Sequence, residues 1–241
     1  MRQTLKQFFN WLVEALFPQR CAGCGQFNDW ACPLCLAELT YPRQLTCPTC
    51  GANSPVGEFC ENCNSNQSLN GLWCSQSYSN RLIKKLISGL KYQFLTAAVP
   101  ILGQILITTL RVYNLPPPWH ATPRSNWFLV PVPLAKWRAR ERGFNQAALL
   151  AQVVSEAANL QIADIIERTR GTQPQSKITD PAKRRQNLQN VFKLKAGIDC
   201  QNQVYILVDD VYTSGATLEE CAKLLKAAGA MEVWGLTVAK G

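Results

Sequence analysis

The 241-residue chain reads as an α/β protein: a domain built on a parallel sheet, preceded by a small cysteine-rich module. Three observations carry that prediction. Eight of the eleven cysteines fall into four Cys-x-x-Cys pairs between Cys21 and Cys63. From about Leu69 onward, helical and strand-like segments alternate. Inside that block, VYILV at 204–208 is continuously apolar, as a strand buried on both faces requires.

Three blocks are expected in chain order: 1–18, 19–66 and 67–241. In the first, Leu5, Phe8, Phe9, Leu12, Val13, Leu16 and Phe17 recur at helical spacing, and Pro18 closes an amphipathic helix. Asn10 and Glu14 interrupt any continuous apolar run, so this is not a secretory leader. The second block is rich in turn formers (Pro33, Pro48, Gly51, Pro55, Gly57) and poor in long apolar runs, so its cysteines must hold it together. In the third, 80–92 predicts a basic amphipathic helix and 96–113 a second, more apolar one. The connection 115–126 contains four prolines and is read as a surface segment with no assigned task. A strand over 127–133, a helix over 145–160, the strand 204–208, a helix over 218–228 closed by Gly229, and a last strand over 232–239 complete the pattern. Residues 97–110 are apolar but short, and carry Gln104 and two threonines. They read as a buried helix, so no transmembrane segment is expected and the chain reads as cytoplasmic.

Charge narrows the partners. The formal net charge is +9, and no acidic residue lies between Glu61 and Glu141, against nine basic ones. That excess favours phosphate-bearing partners, a polyphosphate ligand or nucleic acid, without choosing between them.

The segment after VYILV carries the most chemistry. A buried strand runs into Asp209 and Asp210, then a small-residue turn, then a helix. Ligands of open α/β sheets bind beyond the carboxyl ends of the strands. There Thr213, Ser214, Gly215, Ala216 and Thr217 can present successive N–H groups at a helix N-terminus, and three hydroxyls add donors for an anion. A carboxylate beside a phosphate must serve another partner. Ribose cis-hydroxyls and Mg²⁺ are the natural ones. Both occur together in a ribose 5-phosphate bearing pyrophosphate. One aspartate could instead cap the helix; two adjacent ones exceed that need.

The cysteine pairs are Cys21/Cys24, Cys32/Cys35, Cys47/Cys50 and Cys60/Cys63, with Gly25 and Gly51 following two of them. Each pair brings two thiolates to one tetrahedral ion, so four pairs make two closed, structural Zn²⁺ sites. First with second and third with fourth is the simplest pairing; interleaving stays open. Two such sites would lower the formal charge by four. Cys200 and Cys221 are expected in the core.

Three further patches bear on the site. Lys91 ends the basic helix, where spacing alone suits a solvated charge. A loop holding Lys136, Arg138, Arg140 and Arg142 leads through Gly143 to Asn145 and Gln146, and can close over pyrophosphate, with Arg140 and Arg142 as catalytic candidates beside Asp209 and Asp210. Gln175, Arg184 and Asn187 form a polar group that can meet nucleic acid or a second substrate, or be plain surface. Trp73, Trp119, Trp127 and Trp137 are available for base stacking if they are not core.

VDDVYTSGAT at 208–217 resembles the binding motif for phosphoribosyl pyrophosphate (PRPP) of type I phosphoribosyltransferases. Together with LKY, VPVP, RGFNQ, the Gln175–Arg184–Asn187 group and the double cysteine module, the chain resembles the ComF family nearly end to end. The resemblance implies a type I phosphoribosyltransferase-like parallel sheet with helices on both faces behind a double zinc ribbon. It implies Asp209 and Asp210 on the ribose hydroxyls and Val211, Tyr212, Thr213, Ser214, Gly215, Ala216 and Thr217 around the 5-phosphate, with Mg²⁺. It further implies PRPP or DNA contacts for Lys91, Arg140, Arg142, Asn145, Gln146, Gln175, Arg184 and Asn187. A cytoplasmic role in natural transformation follows, handling imported single-stranded DNA beside the uptake machinery. The acceptor of any phosphoribosyl transfer stays open. So do two alternatives: a nucleotide-salvage transferase unrelated to DNA uptake, and a non-catalytic PRPP-sensing DNA-binding or adaptor protein.

Overall fold

The computed structural model describes residues 19–27, 29–65, 67–116, 123–169 and 191–241. The expected helix over 1–18, the middle of the proline-rich insert with Trp119, and Gln175, Arg184 and Asn187 lie outside the described residues.

The helices are α1 (Pro33–Ala37), α2 (Glu61–Asn64), α3 (Arg81–Tyr92), α4 (Ala98–Val112), α5 (Lys136–Arg142), α6 (Gln146–Ala158) and α7 (Ala216–Ala227). The strands are β1 (Gly71–Ser77), β2 (Trp127–Pro131), β3 (Gln161–Ile162), β4 (Ile166–Arg168), β5 (Phe192–Leu194), β6 (Val204–Tyr212) and β7 (Glu232–Lys240). Five strands form a wholly parallel sheet in the order β1-β7-β6-β2-β3, and β4 pairs antiparallel with β5.

Two apolar cores cover the two faces of the sheet. On one face Ile83, Leu86 and Leu90 of α3, Leu102 and Leu106 of α4, and Leu150 of α6 close on Val204, Ile206 and Val208. On the other, Leu218, Cys221 and Leu225 of α7 close on Tyr205, Leu207 and Val233. Period-2 alternation along β6 therefore sends its even and odd side chains to different helices. Burial on both faces explains why the VYILV stretch of β6 is apolar without interruption. Cys200 and Cys221 are fully buried, as expected.

Trp73 lies in the first core, stacked between Trp127 at 6.3 Å and Trp234 at 5.1 Å. Of the tryptophans considered for base stacking, Trp73 and Trp127 are thus sealed in the interior, while Trp137 is 47% exposed.

The cysteine module is built twice on one plan. An antiparallel bridge (Arg20 with Phe27, Thr46 with Asn53) frames each first pair, and α1 or α2 carries the second cysteine of the other pair. The module lies along the edge of β1, where an unpaired strand edge needs covering. Leu72 N–H donates to the Gly57 carbonyl (2.9 Å), Trp73 Nε1 to Val56 O (2.8 Å), and Lys240 Nζ to Pro48 O (2.7 Å).

Two expectations are corrected. The segment from Lys136 to Arg142 is a helix, not a loop, closed by Gly143 at φ 78° whose N–H bonds Ala139 O. Lys, Arg, Ala and Glu are good helix formers, and their lack of an apolar stripe disguised it. The central strand also continues past Val208 to Tyr212, because β7 stays in register with it as far as Lys240. The aspartates therefore stand on the last turns of a strand and not in the loop itself.

Candidate functional site

At the carboxyl end of β6 the alternation parts the two acids. Asp210 points toward α3 and is almost closed from solvent; its Oδ1 meets Lys91 Nζ at 2.9 Å. Its Oδ2 is buried with no hydrogen-bond partner among the described residues. Arg142, also buried, lies close enough to Asp210 to feel its charge. Arg142 donates through Nη1 to Gln146 Oε1 (2.9 Å), and its Cζ lies 5.8 Å from the centre of the Tyr92 ring. Burial works against the Lys91 cation, but Asp210 and Asp209 outweigh it and hold the ammonium above its ordinary range. A buried acid is thus held at the mouth of the sheet by a partly buried lysine and a buried arginine.

Asp209 is only partly buried, and its Oδ1 accepts the Asp210 N–H at 2.8 Å. Burial first, then the neighbouring Asp210 charge, push its carboxyl up to about 7, against the pull of Lys91. A carboxyl poised there can change charge near neutrality and accept from hydroxyl donors or a cation.

The turn follows at once. Gly215 sits at φ 73° as the N-cap of α7, and a Cβ there would stand 2.5 Å from the Tyr212 hydroxyl and 2.8 Å from its ring. Only glycine lets the chain bend over that ring. None of the backbone N–H groups of Thr213, Ser214, Gly215, Ala216 and Thr217 donates to another protein group among the described residues. These residues and Asp209 line one shallow concavity. Five free amides, three hydroxyls and a helix N-terminus make an anion cradle.

The remaining residues predicted for the site divide. Lys91 and Arg142 are brought to Asp210. Arg140 is exposed on α5. Asn145 caps α6, its Oδ1 accepting from Ala147 N–H (3.1 Å) while Nδ2 donates to Val132 O (3.0 Å). Gln146 is buried and holds Arg142. What the sequence reading missed is this positioning role of Gln146 and the seating of the turn on Tyr212. The four-residue spacing of Arg142 and Gln146 was the available signal.

The second chemical feature is the pair of tetra-cysteine groups, Cys21/Cys24/Cys32/Cys35 and Cys47/Cys50/Cys60/Cys63. In each, the sulfur atoms lie within 4.8 Å of one another. The pairing is first with second and third with fourth, which removes the interleaved alternative. Cys32 N–H donates to Cys21 Sγ (3.3 Å) and Cys60 N–H to Cys47 Sγ (3.4 Å). Burial opposes ionisation of Cys21 and Cys47, but backbone N–H donors overcome it and bring both thiols down to about 6. Gly25 and Gly51 take φ values of 84° and 77° in the two knuckles. Four converging thiolates with N–H donors suit structural Zn²⁺ and leave no open coordination position.

Comparison with known proteins agrees with both features. Residues 12–64 match the double zinc ribbon domain, and residues 140–240 match the phosphoribosyl transferase domain. DNA utilization protein YhgH of Salmonella typhi is 30% identical over 220 residues, covering 87% of this chain and 91% of that protein. Competence protein ComFC of Bacillus subtilis is 28% identical over 205 residues, covering 82% and 78%. Competence protein F of Haemophilus influenzae is 40% identical over 112 residues, covering 45% of this chain and 48% of that protein. The chain thus matches about half the length of that relative. A purine phosphoribosyltransferase from Pyrococcus horikoshii shares 17% identity over 59% of this chain and 72% of that structure, at a TM-score of 0.35. The 30% identity with the Salmonella protein over 87% of this chain, joined to a double zinc ribbon and a transferase domain in that order, shows that the chain belongs to the ComF/YhgH family of competence and DNA-utilization proteins.

Proposed function

We propose that this protein binds PRPP, with Mg²⁺, at residues 209–217 and handles imported single-stranded DNA in the cytoplasm during natural transformation. The observation that carries the ligand assignment is the run of five unpartnered amides beside Asp209. A 5-phosphate suits those amides and the hydroxyls of Thr213, Ser214 and Thr217, and ribose hydroxyls suit the Asp209 carboxylate. Lys91 and Arg142 set the position and charge of Asp210, and Arg140 is free on α5 to reach a pyrophosphate. Mg²⁺ would supply charge neutralisation between the carboxylate and the ligand oxygens. The names of the relatives, a competence protein and a DNA utilization protein, support the DNA reading.

We assign 19–66 to the zinc ribbon and 67–241 to the transferase-type domain. The uptake machinery is the natural protein partner, and the acceptor of any transfer is a second substrate still to be identified. Calorimetric titration with PRPP–Mg²⁺ tests the ligand reading. Binding by the zinc-loaded protein and its loss in Asp209→Ala are expected; a wild type that releases no heat of binding refutes it. Asp209 is the sound choice of variant, since Asp210 is tied to Lys91 and its loss would disturb the fold.

A further inference from the structure

We infer that the edge formed by the end of α3 and by α5 is the surface on which a single-stranded nucleic acid stacks its bases. Among the described residues four aromatic side chains are exposed: Phe27, Tyr92, Phe94 and Trp137. Phe27, with the Arg20 guanidinium 4.0 Å from its ring centre, belongs to the cysteine module and not to the α3 or α5 segments. The other three stand on two neighbouring segments, the end of α3 and the start of α5, which meet where Arg142 approaches the Tyr92 ring. Tyr92 (65% exposed) ends α3, Phe94 (45%) follows two residues later, and Trp137 (47%) opens α5. Two arginines of α5 flank two of the rings: Arg142 lies 5.8 Å from the centre of Tyr92, and Arg138 5.1 Å from that of Trp137. Isolated exposed apolar residues need no explanation, but three exposed aromatics on two adjoining segments, two of them beside guanidinium groups, do.

Phe94 adds an independent sign. It holds φ 55°, a left-handed conformation rare for a bulky side chain, and so presents its ring to solvent at a conformational cost. Behind the aromatics, α3 turns a basic face outward. Leu82, Ile83, Leu86, Ile87 and Leu90 are buried, while Arg81, Lys84 and Lys85 are exposed and form no ion pair among the described residues. Twelve helical residues span about 18 Å, a track for several phosphates leading to the rings. No acidic residue interrupts the sequence from Glu61 to Glu141.

Unpaired bases offer π-faces to aromatic side chains, whereas a duplex hides them, so this surface suits a single strand. The track ends at Lys91, and so brings the strand beside Asp210 and the cradle at 213–217. This inference rests on the single-strand part of the proposed function and gives it a place. It places the stacking contacts away from Asn145, whose Oδ1 and Nδ2 are both engaged, and from Gln146, whose Oε1 holds Arg142.

The test is fluorescence anisotropy of labelled oligo(dT) with the full-length, zinc-loaded protein across a salt series. Tyr92→Ala, Phe94→Ala and Trp137→Ala should each weaken binding by roughly tenfold, and an oligonucleotide of abasic sites should not register those losses. Lys84→Gln with Lys85→Gln should lower the log–log salt slope by about 1.4. Lys195→Gln, just past the end of β5, should bind like wild type. If the wild type binds no oligo(dT), the single-strand reading falls and this inference with it. If the wild type binds and the aromatic variants match Lys195→Gln, the surface is elsewhere while that reading stands. Equal losses on abasic strands would overturn stacking and leave only phosphate contact.

Discussion

Lys91→Met is the perturbation whose cost follows most directly from the structure. The Lys91–Asp210 pair is 2.9 Å long, with 20% of the lysine and 4% of the aspartate side chain exposed. Removing the cation leaves Asp210 buried, with both carboxylate oxygens lacking a close partner, since Oδ2 has none to begin with. Breaking a buried pair from one side typically costs about 3–5 kcal/mol. Arg142 nearby retains part of the compensation, so the low end, about 3 kcal/mol, is expected. For a chain of this size that is a fall in melting temperature of roughly 6–12 °C. Asp210→Asn should cost less, because the amide keeps an acceptor and Lys91 can extend toward solvent. The double variant should lose less than the two single losses added together, and urea melts of all four proteins give the coupling. A Lys91→Met protein within about 1 kcal/mol of wild type would refute the claim that this acid is held between cations.

Three other outcomes are expected. Asp209 is raised to about 7 in the folded chain and lies in the ordinary carboxylate range when unfolded. The folded state therefore holds a proton that the unfolded state has lost, so this group makes stability decline as pH rises from about 4 to about 7. PRPP affinity should run the other way, rising up to tenfold between about pH 6 and pH 8 as the carboxylate ionises, as calorimetry at the two pH values will show. Gly215→Ala places a methyl group 2.5 Å from the Tyr212 hydroxyl at φ 73°; ligand binding should fall by more than an order of magnitude, with a lesser loss of thermal stability. The two zinc sites should not be equivalent. Pro48, in the second knuckle, accepts from Lys240, and Thr49 shares a cleft of about 450 Å³ with Ser214 and Gly215. Cys50→Ser should thus weaken PRPP binding by about tenfold or more, and Cys24→Ser much less; equal effects would disconnect the knuckle from the turn.

Much of this architecture was legible in the sequence because its determinants are local. Four Cys-x-x-Cys pairs in close succession mark metal knuckles, and an apolar run as short as 204–208 suits a buried strand better than a helix. The Thr-Ser-Gly-Ala-Thr turn needs no tertiary partner to be recognised. The rest was hidden where tertiary pairing overrides local signals. Asp209 and Asp210 look like the beginning of a loop, yet β7 carries their strand to Tyr212. Lys91 looks like a solvated charge at a helix end, and only the packing of α3 on β6 turns it onto Asp210. Asn145 and Gln146 look like free polar contacts, and the fold gives them structural work as well: one caps α6 and the other accepts from Arg142. In α5 the signal was present, since Arg-rich helices end at glycine; the absence of an apolar stripe concealed it.

The central claim is that a sugar phosphate rests on the amides that follow β6. Backbone amide shifts of the ¹⁵N-labelled, zinc-loaded protein, titrated with ribose 5-phosphate, report on those amides one by one. Saturable shifts concentrated at Thr213, Ser214, Gly215, Ala216 and Thr217, with Asp209 moving alongside, are the predicted result. Amides at 213–217 that stay fixed while others move, or a spectrum that ignores the ligand, would contradict it.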